Sequence, residues 1–406
     1  MHIVYLVHSF SWDKQYVGGA GQYVANIARI MKNNGHDVDI VVEASFEGIK
    51  EVDGINVHAV NQLGDYIKGK PLSTWTKVEK NLKRSYWYNQ KVKEIHKKNK
   101  VDIVQSTNIF SLALLRMKQI PYVVRVSEYP ALWRYSSMQE FEFDSAMKSR
   151  RMDEEISLWA CKRADMVIAP SYFLKTIYEQ RVEKTVKVIE SPVDVSAVED
   201  LTLDDNKLEK DKYVITYGRL SYRKEIHVIA DIVDEFLERH PSMKYVIVGE
   251  NISITCGNKN VRVWDYLNEH VIKNRERLVL IKNIVDKKKL FCIIKNAYAC
   301  VLPTRIDNLP NAVLEAMALK KIVISSTSEQ GTSIEQLIDD GKNGFLAQID
   351  DAEGLLNKID IVMKLSEAER NIIEQKAQER VADLAPDKVY EKMMKVYEDV
   401  IEGSKK

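Results

Sequence analysis

Asp307 and Glu315 stand eight positions apart in Asp307-Asn308-Leu309-Pro310-Asn311-Ala312-Val313-Leu314-Glu315-Ala316-Met317-Ala318. Pro310 suits the first position of a helix, where its missing N–H costs nothing, and Asn308 is placed to cap the free amides beside it. The spacing therefore predicts a helix over 310–319, with Asp307 on the loop outside it and Glu315 on its second turn, roughly 8–10 Å further along by helical rise. A sugar and a ribose joined by a pyrophosphate are about that far apart. Unpaired amides at the helix start attract an anion, so one element can hold phosphate oxygens and hydroxyls together. A capped amphipathic helix carrying two solvated acids gives the same pattern, and other segments have to decide between the two.

Two do. Gly18-Gly19-Ala20-Gly21 lies between a first strand and a first helix, where small residues let a backbone approach a phosphate or sugar closely. Its spacing does not fit G-x-G-x-x-G, so a dinucleotide is weakly supported. Tyr217-Gly218-Arg219-Leu220-Ser221-Tyr222-Arg223-Lys224 also follows a strand and precedes a helix. Loops at the carboxyl end of parallel strands face a ligand crevice, where Arg219 as a bidentate fork and Lys224 as a point charge can converge on a pyrophosphate.

The elements that must position these loops are legible as short apolar runs alternating with longer helical patterns, the signature of parallel sheets. Strands are expected at 2–7, 38–43, 101–105, 121–126, 165–169 and 186–190, then at 213–217, 244–248, 278–281, 298–302 and 322–325. Helices are expected at 224–239, 286–296 and 310–319, and Ala20, Val24, Ile27, Ala28 and Met31 mark one face of a first helix closed by Asn34-Gly35. The fold class is α/β, with two doubly wound Rossmann-like domains facing a central cleft. The 406 residues exceed what one core usually serves. We expect an N-terminal domain over 1–190, an acidic connecting segment over 191–212, a C-terminal domain over 213–385, and a last helix over 386–406 that crosses back to the first domain.

Hydrophobic residues make up 45% and charged residues 29%, with no long apolar run and no signal-peptide pattern, so a soluble cytoplasmic protein is expected. The four cysteines show no metal or disulfide spacing. Net charge is +1 but unevenly spread: through Glu190 there are 28 Lys/Arg against 22 Asp/Glu, and 32 against 37 beyond it. The sharpest bias is Lys68–Lys100, where eleven basic residues oppose only Glu79 and Glu94, with Trp75, Tyr86, Trp87 and Tyr88 interleaved. A solvated helix face explains this, and so does attachment to an anionic membrane surface. Neither half carries the overwhelming positive field of a nucleic-acid binder. Asp37-Val38-Asp39 fits D-x-D but opens the second strand, at the end opposite the expected cleft, and is set aside as a metal site.

Together the glycine loop, Gly218-Arg219-Leu220 with Lys224 five residues past the Arg, and the acid-x7-Glu segment before Ala316-Met317-Ala318 resemble the family-4 retaining glycosyltransferases of GT-B fold (glycosyl transferases group 1). The resemblance spans nearly the whole chain. It implies that Arg219 and Lys224 hold the donor diphosphate, Asp307 contacts the transferred sugar, and Glu315 takes the ribose hydroxyls. Gly18, Gly19, Gly21, Asn308, Leu309, Pro310 and Asn311 complete the donor site. It also implies a metal-independent hexosyltransferase that needs no cofactor beyond its nucleotide-sugar substrate, in which UDP is the commonest base, ahead of GDP and ADP. The acceptor is a glycan, a lipid-linked glycan or another molecule, as in polysaccharide biosynthesis, and the location is cytoplasmic or peripheral on the inner face of the plasma membrane. Three departures stand out: Asp307 where Glu is common, Glu225 where Gly usually follows the Lys, and Ser127-Glu128-Tyr129-Pro130 where many members have a His. Glu128 is accordingly a candidate polar group near the sugar or acceptor, with an ion pair to Arg125 or Arg134 as the alternative. A non-hydrolysing nucleotide-sugar epimerase on the same fold, or a nucleotide-sugar-binding protein without turnover, would share these features.

Overall fold

The structure, a computed structural model, describes the chain apart from residues 11–17, 64–65, 68–69, 72, 138–147, 149–150, 197–207, 209, 211, 257–258, 283, 285, 329–331 and 405–406. It divides into two compact units. Unit 1 comprises Met1–Ala131, Met147–Pro192 and Pro386–Lys406, and unit 2 comprises Leu132–Ala146 and Val193–Ala385.

In unit 1 the elements run β1 (His2–Val7), α1 (Gly19–Asn33), β2 (Asp37–Glu43), β3 (Ile49–Val52), β4 (Ile55–Val60), a short hairpin of β5 (Tyr66–Ile67) and β6 (Lys70–Pro71), and α2 (Thr74–Lys98). They continue with β7 (Ile103–Thr107), β8 (Tyr122–Arg125), α3 (Pro130–Ser137), which belongs to unit 2 from Leu132 on, α4 (Met152–Arg163), β9 (Met166–Ala169), α5 (Tyr172–Val182) and β10 (Val186–Val188). The eight-stranded sheet has the order β10-β9-β8-β7-β1-β2-β4-β3, parallel throughout except for the β3–β4 pair. The chain leaves β1 in one direction and later strands fill the other side, so β1 and β7 flank the switch point where doubly wound sheets bind ligands.

The last helix of the chain, Pro386–Gly403, packs in unit 1 through Val389, Met393, Val396, Tyr397 and Val400, against Ile3, Tyr5, Tyr23 and Ile27. Burial of so many aromatic hydroxyls requires partners. The Tyr397 hydroxyl donates to Gln105 Oε1 at 2.6 Å and lies 3.1 Å from that of Tyr5, and Gln105 Nε2 donates to the Tyr23 hydroxyl at 3.1 Å.

Unit 2 contains β11 (Tyr213–Tyr217), α6 (Ile226–Arg239), β12 (Lys244–Val248), a hairpin of β13 (Ser253–Cys256) and β14 (Lys259–Arg262), α7 (Val263–His270), β15 (Leu278–Ile281) and α8 (Lys287–Lys295). It goes on with β16 (Ala299–Val301), α9 (Asn311–Ala318), β17 (Val323–Thr327), β18 (Phe345–Gln348), α10 (Ala352–Lys364) and α11 (Glu367–Ala382); the helix Pro386–Gly403 is α12. The six strands of its main sheet are all parallel, in the order β15-β12-β11-β16-β17-β18. Both faces are covered, one around Ile229, Val233 and Phe236 and the other around Val313, Leu314 and Met317, which is why these strands read as unbroken apolar runs.

The α/β class with parallel sheets is as expected, and most strands lie within two residues of their expected bounds. The sequence reading missed β3, β4 and β18 and both short hairpins, β5–β6 and β13–β14. Cys161, Cys292 and Cys300 are buried free thiols, and the Cys256 side chain lies outside the described residues. Among the described residues no helix is long and apolar enough to cross a membrane.

Candidate functional site

The loop after β11 is shaped by two glycines. Gly218 has φ +112°, and a Cβ on Gly249, at the end of β12, would come within 2.6 Å of the Gly218 carbonyl oxygen. Arg219 is exposed on this loop, and the buried Leu220 beside it anchors the loop to the core. A single 3₁₀ turn, Tyr222–Lys224, then leads to Glu225, which holds φ 47° and ψ 37° before α6 starts at Ile226. The helix expected from Lys224 is thus shortened by a left-handed residue that separates the Lys224 turn from α6. That conformation explains why glycine suits this position.

Glu225 occupies it by tethering its side chain. The carboxylate is buried, accepts from the Asp350 N–H at 2.6 Å and accepts the Ser326 hydroxyl. Burial raises its pKa, and the two hydrogen bonds only partly oppose this. Asp350 in turn receives Arg305 and His227, the latter at 3.0 Å, and the His227 ring stacks on Tyr222 with centroids 4.2 Å apart. Burial would raise the Asp350 pKa, but these two partners outweigh it and hold it below the usual range. The Arg223 carbonyl is held from across the loop by the Arg305 N–H at 3.0 Å and the Thr304 hydroxyl at 3.2 Å. The turn carrying Lys224 is therefore clamped on both sides.

Lys224 forms an ion pair with Asp307. Both side chains are largely buried, and although burial penalises the carboxylate, the charges of Lys224 and Arg223 and the hydrogen bonds of Lys224 and the Asn308 N–H bring the Asp307 pKa down to about 2. The helix that follows differs from expectation in one respect. It starts at Asn311, and Pro310 occupies the capping position with an extended backbone, φ −74° and ψ 110°, so Asn308 stands two residues before the cap. The Asn308 N–H donates to Asp307 Oδ1 at 2.7 Å. Leu309 is buried in the core and fixes this loop, while Asn311 is half-buried at the helix start. The Tyr217 hydroxyl donates to the Ala312 carbonyl at 2.6 Å, tying the end of β11 to α9.

Glu315, on the second turn of α9, pairs with Lys287 from the first turn of α8. Sequence reasoning missed Lys287, Asp350, Arg305 and His227. The run Asp286-Lys287-Lys288-Lys289 ahead of an amphipathic helix was the one signal for the first, since Asp286 caps that helix and fixes where Lys287 points. Unit 2 therefore brings Lys224, Asp307 and α9 together at the carboxyl ends of its strands, with Arg219 exposed nearby in sequence.

In unit 1, Gly18 is the N-terminal cap of α1, Gly19 its first residue, and Gly21 is buried. Neither Gly18 nor Gly19 has a positive φ, and a Cβ on either would meet no described atom within 4 Å. Protein packing does not demand glycine here, which leaves room for a ligand to approach the helix start. Glu128 is half-buried after β8, and its backbone carbonyl accepts from Asn108 Nδ2 at 2.9 Å and the Tyr178 hydroxyl at 2.7 Å. The alternative pairing of Glu128 with Arg125 is not formed. Arg125 is buried over the Tyr23 ring, 3.6 Å from its centroid, and donates to Ser191 at 2.9 Å and Ser127 at 3.4 Å. The Arg134 side chain lies outside the described residues. Asp39 of the D-x-D sequence is buried between two imidazoles, accepting from His2 at 2.5 Å and His58 at 2.7 Å, which accounts for it as a structural acid.

Comparison with known proteins adds to this geometry. Residues 17–197 match the profile of Glycosyltransferase Family 4, and residues 200–379 that of Glycosyl transferases group 1. The chain is 20% identical over 400 residues to the GalNAc-alpha-(1->4)-GalNAc-alpha-(1->3)-diNAcBac-PP-undecaprenol alpha-1,4-N-acetyl-D-galactosaminyltransferase of Campylobacter jejuni, covering 94% of this chain and 96% of that one. Among solved structures it superposes on sucrose-phosphate synthase from Thermosynechococcus elongatus with a TM-score of 0.76 at 15% identity, over 99% of this chain and 100% of the other. It superposes on the Anabaena protein HepE in complex with UDP with a TM-score of 0.67 at 16% identity, over 98% of this chain and 100% of the other.

Proposed function

This chain belongs to the group 1, family 4 glycosyltransferases, and from that premise we propose that it transfers a sugar from a nucleotide diphosphate donor, with retention at the anomeric carbon. The observation that carries the reading is the pairing of Lys224 with Asp307 immediately before the helix that bears Glu315. One part of the fold then supplies a sugar-facing acid, a cation for the diphosphate and a ribose-facing acid, one group for each part of a nucleotide sugar.

In this reading Lys224 and Arg219 take the diphosphate, together with the first-turn amides of α9 and the glycines at the start of α1. Fixed cations and amides act best on charge that grows as the leaving group departs. The anomeric C–O bond to the diphosphate breaks, and the acceptor oxygen bonds to the same face. The acceptor proton passes to a departing phosphate oxygen, so nucleoside diphosphate and glycoside form with all atoms accounted for. Asp307 orients the sugar, Glu315 exchanges Lys287 for the ribose hydroxyls, and Glu128 is a polar group of the acceptor unit. UDP is the proposed base, needing no metal, and a lipid-linked glycan on the cytoplasmic side of a membrane is the proposed acceptor, in keeping with the undecaprenol-linked substrate that names the Campylobacter relative.

The test is incubation of the protein with UDP-, GDP- and ADP-sugars and a host glycan and lipid extract. Acceptor-dependent release of nucleoside diphosphate supports the proposal. Isomerisation of the donor sugar, or binding with no turnover on any acceptor, overturns it.

A further inference from the structure

The helix α2 is inverted relative to an ordinary amphipathic helix. Its inward face buries Asn81, Arg84, Ser85, Tyr88 and Asn89 beside Val92 and Ile95, and Arg84, Ser85, Tyr88 and Asn89 are held by hydrogen bonds. Arg84 Nε donates to Glu43 at 2.6 Å, the Tyr88 hydroxyl to the Val7 carbonyl at 2.9 Å, and Asn89 Nδ2 to the Leu112 carbonyl at 2.9 Å. Its outward stripe, at helical spacing, carries Trp75, Leu82 and Tyr86, which are 73%, 40% and 53% exposed, and continues into Lys93 and Lys97. The polar anchors fix the helix's rotation, so this stripe stays outward.

The charges on that side are matched to an anionic surface. Lys93, Lys97, Lys98 and Lys100 are exposed and take part in no ion pair among the described residues, while Glu79 and Glu94 are engaged by Lys83 and Lys91. Beside the helix, Val78 packs on the small cluster of Leu114, Ile156 and Ala160. The chain neighbours of that cluster, Leu115 and Trp159, are exposed and enlarge the apolar area. Indole and phenol rings favour the boundary between headgroups and acyl chains, and lysines around them favour anionic lipid. Lys68, where the expected basic stretch begins, lies outside the described residues.

We propose that the outward face of α2 docks on an anionic lipid bilayer, with Trp75, Leu82 and Tyr86 at the headgroup boundary and Lys93 and Lys97 on the phosphates. A membrane explains what a solvated face does not, namely three large apolar side chains on a stripe where water imposes no need for them. The inference does not depend on the transfer reading. Donor turnover in solution tests that reading, and vesicles test this one.

Co-sedimentation of the full chain with phosphatidylcholine vesicles, with and without phosphatidylglycerol, at low and high salt, reads the docking directly. The wild type is expected to pellet with the anionic vesicles at low salt, to be released at high salt, and to stay in the supernatant with the neutral ones. The double variant Lys93→Glu, Lys97→Glu should lower partitioning roughly a hundredfold or more. The triple variant Trp75→Ser, Leu82→Ser, Tyr86→Ser should lower it on the same vesicles, and both should keep the wild-type circular dichroism. Any of three results would overturn the proposal: no pelleting with anionic vesicles at low salt, equal pelleting with neutral vesicles, or folded variants that bind as the wild type does. Light scattering showing a dimer that Trp75→Ser dissociates would also overturn it, by assigning the face to a second copy of the chain.

Discussion

Replacing Asp307 by Asn separates two roles that a simple loss-of-function reading would merge. The carboxylate titrates near pH 2 in the folded protein, against 3.8 ordinarily, because Lys224, Arg223 and the Asn308 N–H outweigh the cost of its burial. Its folded pKa is depressed, so its contribution is present above pH 3.8 and is lost as the pH falls through 2. By linkage this is on the order of 2 kcal/mol at pH 7 and about half that at pH 3. Urea melts should show Asp307→Asn less stable than the wild type by the larger amount at pH 7, with the gap about halved at pH 3. Ligand binding should move the other way. In the free protein Lys224 is occupied by Asp307. Without the carboxylate the ammonium is available to a diphosphate, so calorimetry should find nucleoside diphosphate affinity unchanged or raised, by up to about tenfold if roughly 1.4 kcal/mol of competition is removed. Sugar transfer should nevertheless fall, because the sugar-facing acid is gone. If nucleoside diphosphate affinity fell in step with transfer, Asp307 would be serving the diphosphate end of the ligand and the ordering of the site would be wrong.

Glu315→Ala should weaken nucleoside diphosphate binding about ten- to hundredfold, the value of a charge-assisted acceptor for ribose hydroxyls worth roughly 1.5–3 kcal/mol, and calorimetry would show it. Arg219→Ala and Lys224→Ala should lower kcat more than they raise KM, since leaving-group charge grows toward the transition state; a rise in KM alone in steady-state kinetics would make them mere binders. Glu225→Gly removes left-handed strain but also two hydrogen bonds to a buried carboxylate, a net loss of about 1–3 kcal/mol, whereas Glu225→Gln keeps the acceptor for Asp350. Thermal melts together with kcat should therefore rank Gln above Gly. For His2, burial would depress the pKa, but the hydrogen bond and charge of Asp39 raise it above 6.5. Its stabilisation is full below pH 6.5 and is lost as the pH rises through the folded value, so the stability gap between wild type and His2→Gln, measured by urea melts, should narrow on the alkaline side.

The sequence was most informative where one face is fully buried. The strands of unit 2 announce themselves as Val/Ile/Leu runs because helices cover both sides, and the loops after β11 and before α9 then follow from strand and helix ends. β3 was not legible because it lies at the sheet edge, with only Val52 partly shielded and the rest exposed, and has no apolar pattern to read. The start of α9 was displaced by one residue because Pro310, whose φ suits a first helical position, has an extended ψ of 110° and takes the capping position instead. Lys287, Asp350 and Arg305 escaped notice for a different reason. Each reaches its partner across tens of residues of chain, through the packing of α8 on α9 or the meeting of the segments that follow β11, β16 and β18, and no short spacing records such a meeting. Glu225 was legible as a departure, but its left-handed backbone and double tether were not.

The most direct test of the account is proton NMR of the reaction itself, followed from mixing with a single α-linked nucleotide sugar that the enzyme turns over and its acceptor. The account predicts that the donor's anomeric signal decays as an α-glycoside signal grows at the same rate, with nucleoside diphosphate released in equal amount and both changes abolished in Lys224→Ala. A β-glycoside as the first-formed product, or undiminished turnover by the Lys224 variant, would contradict it.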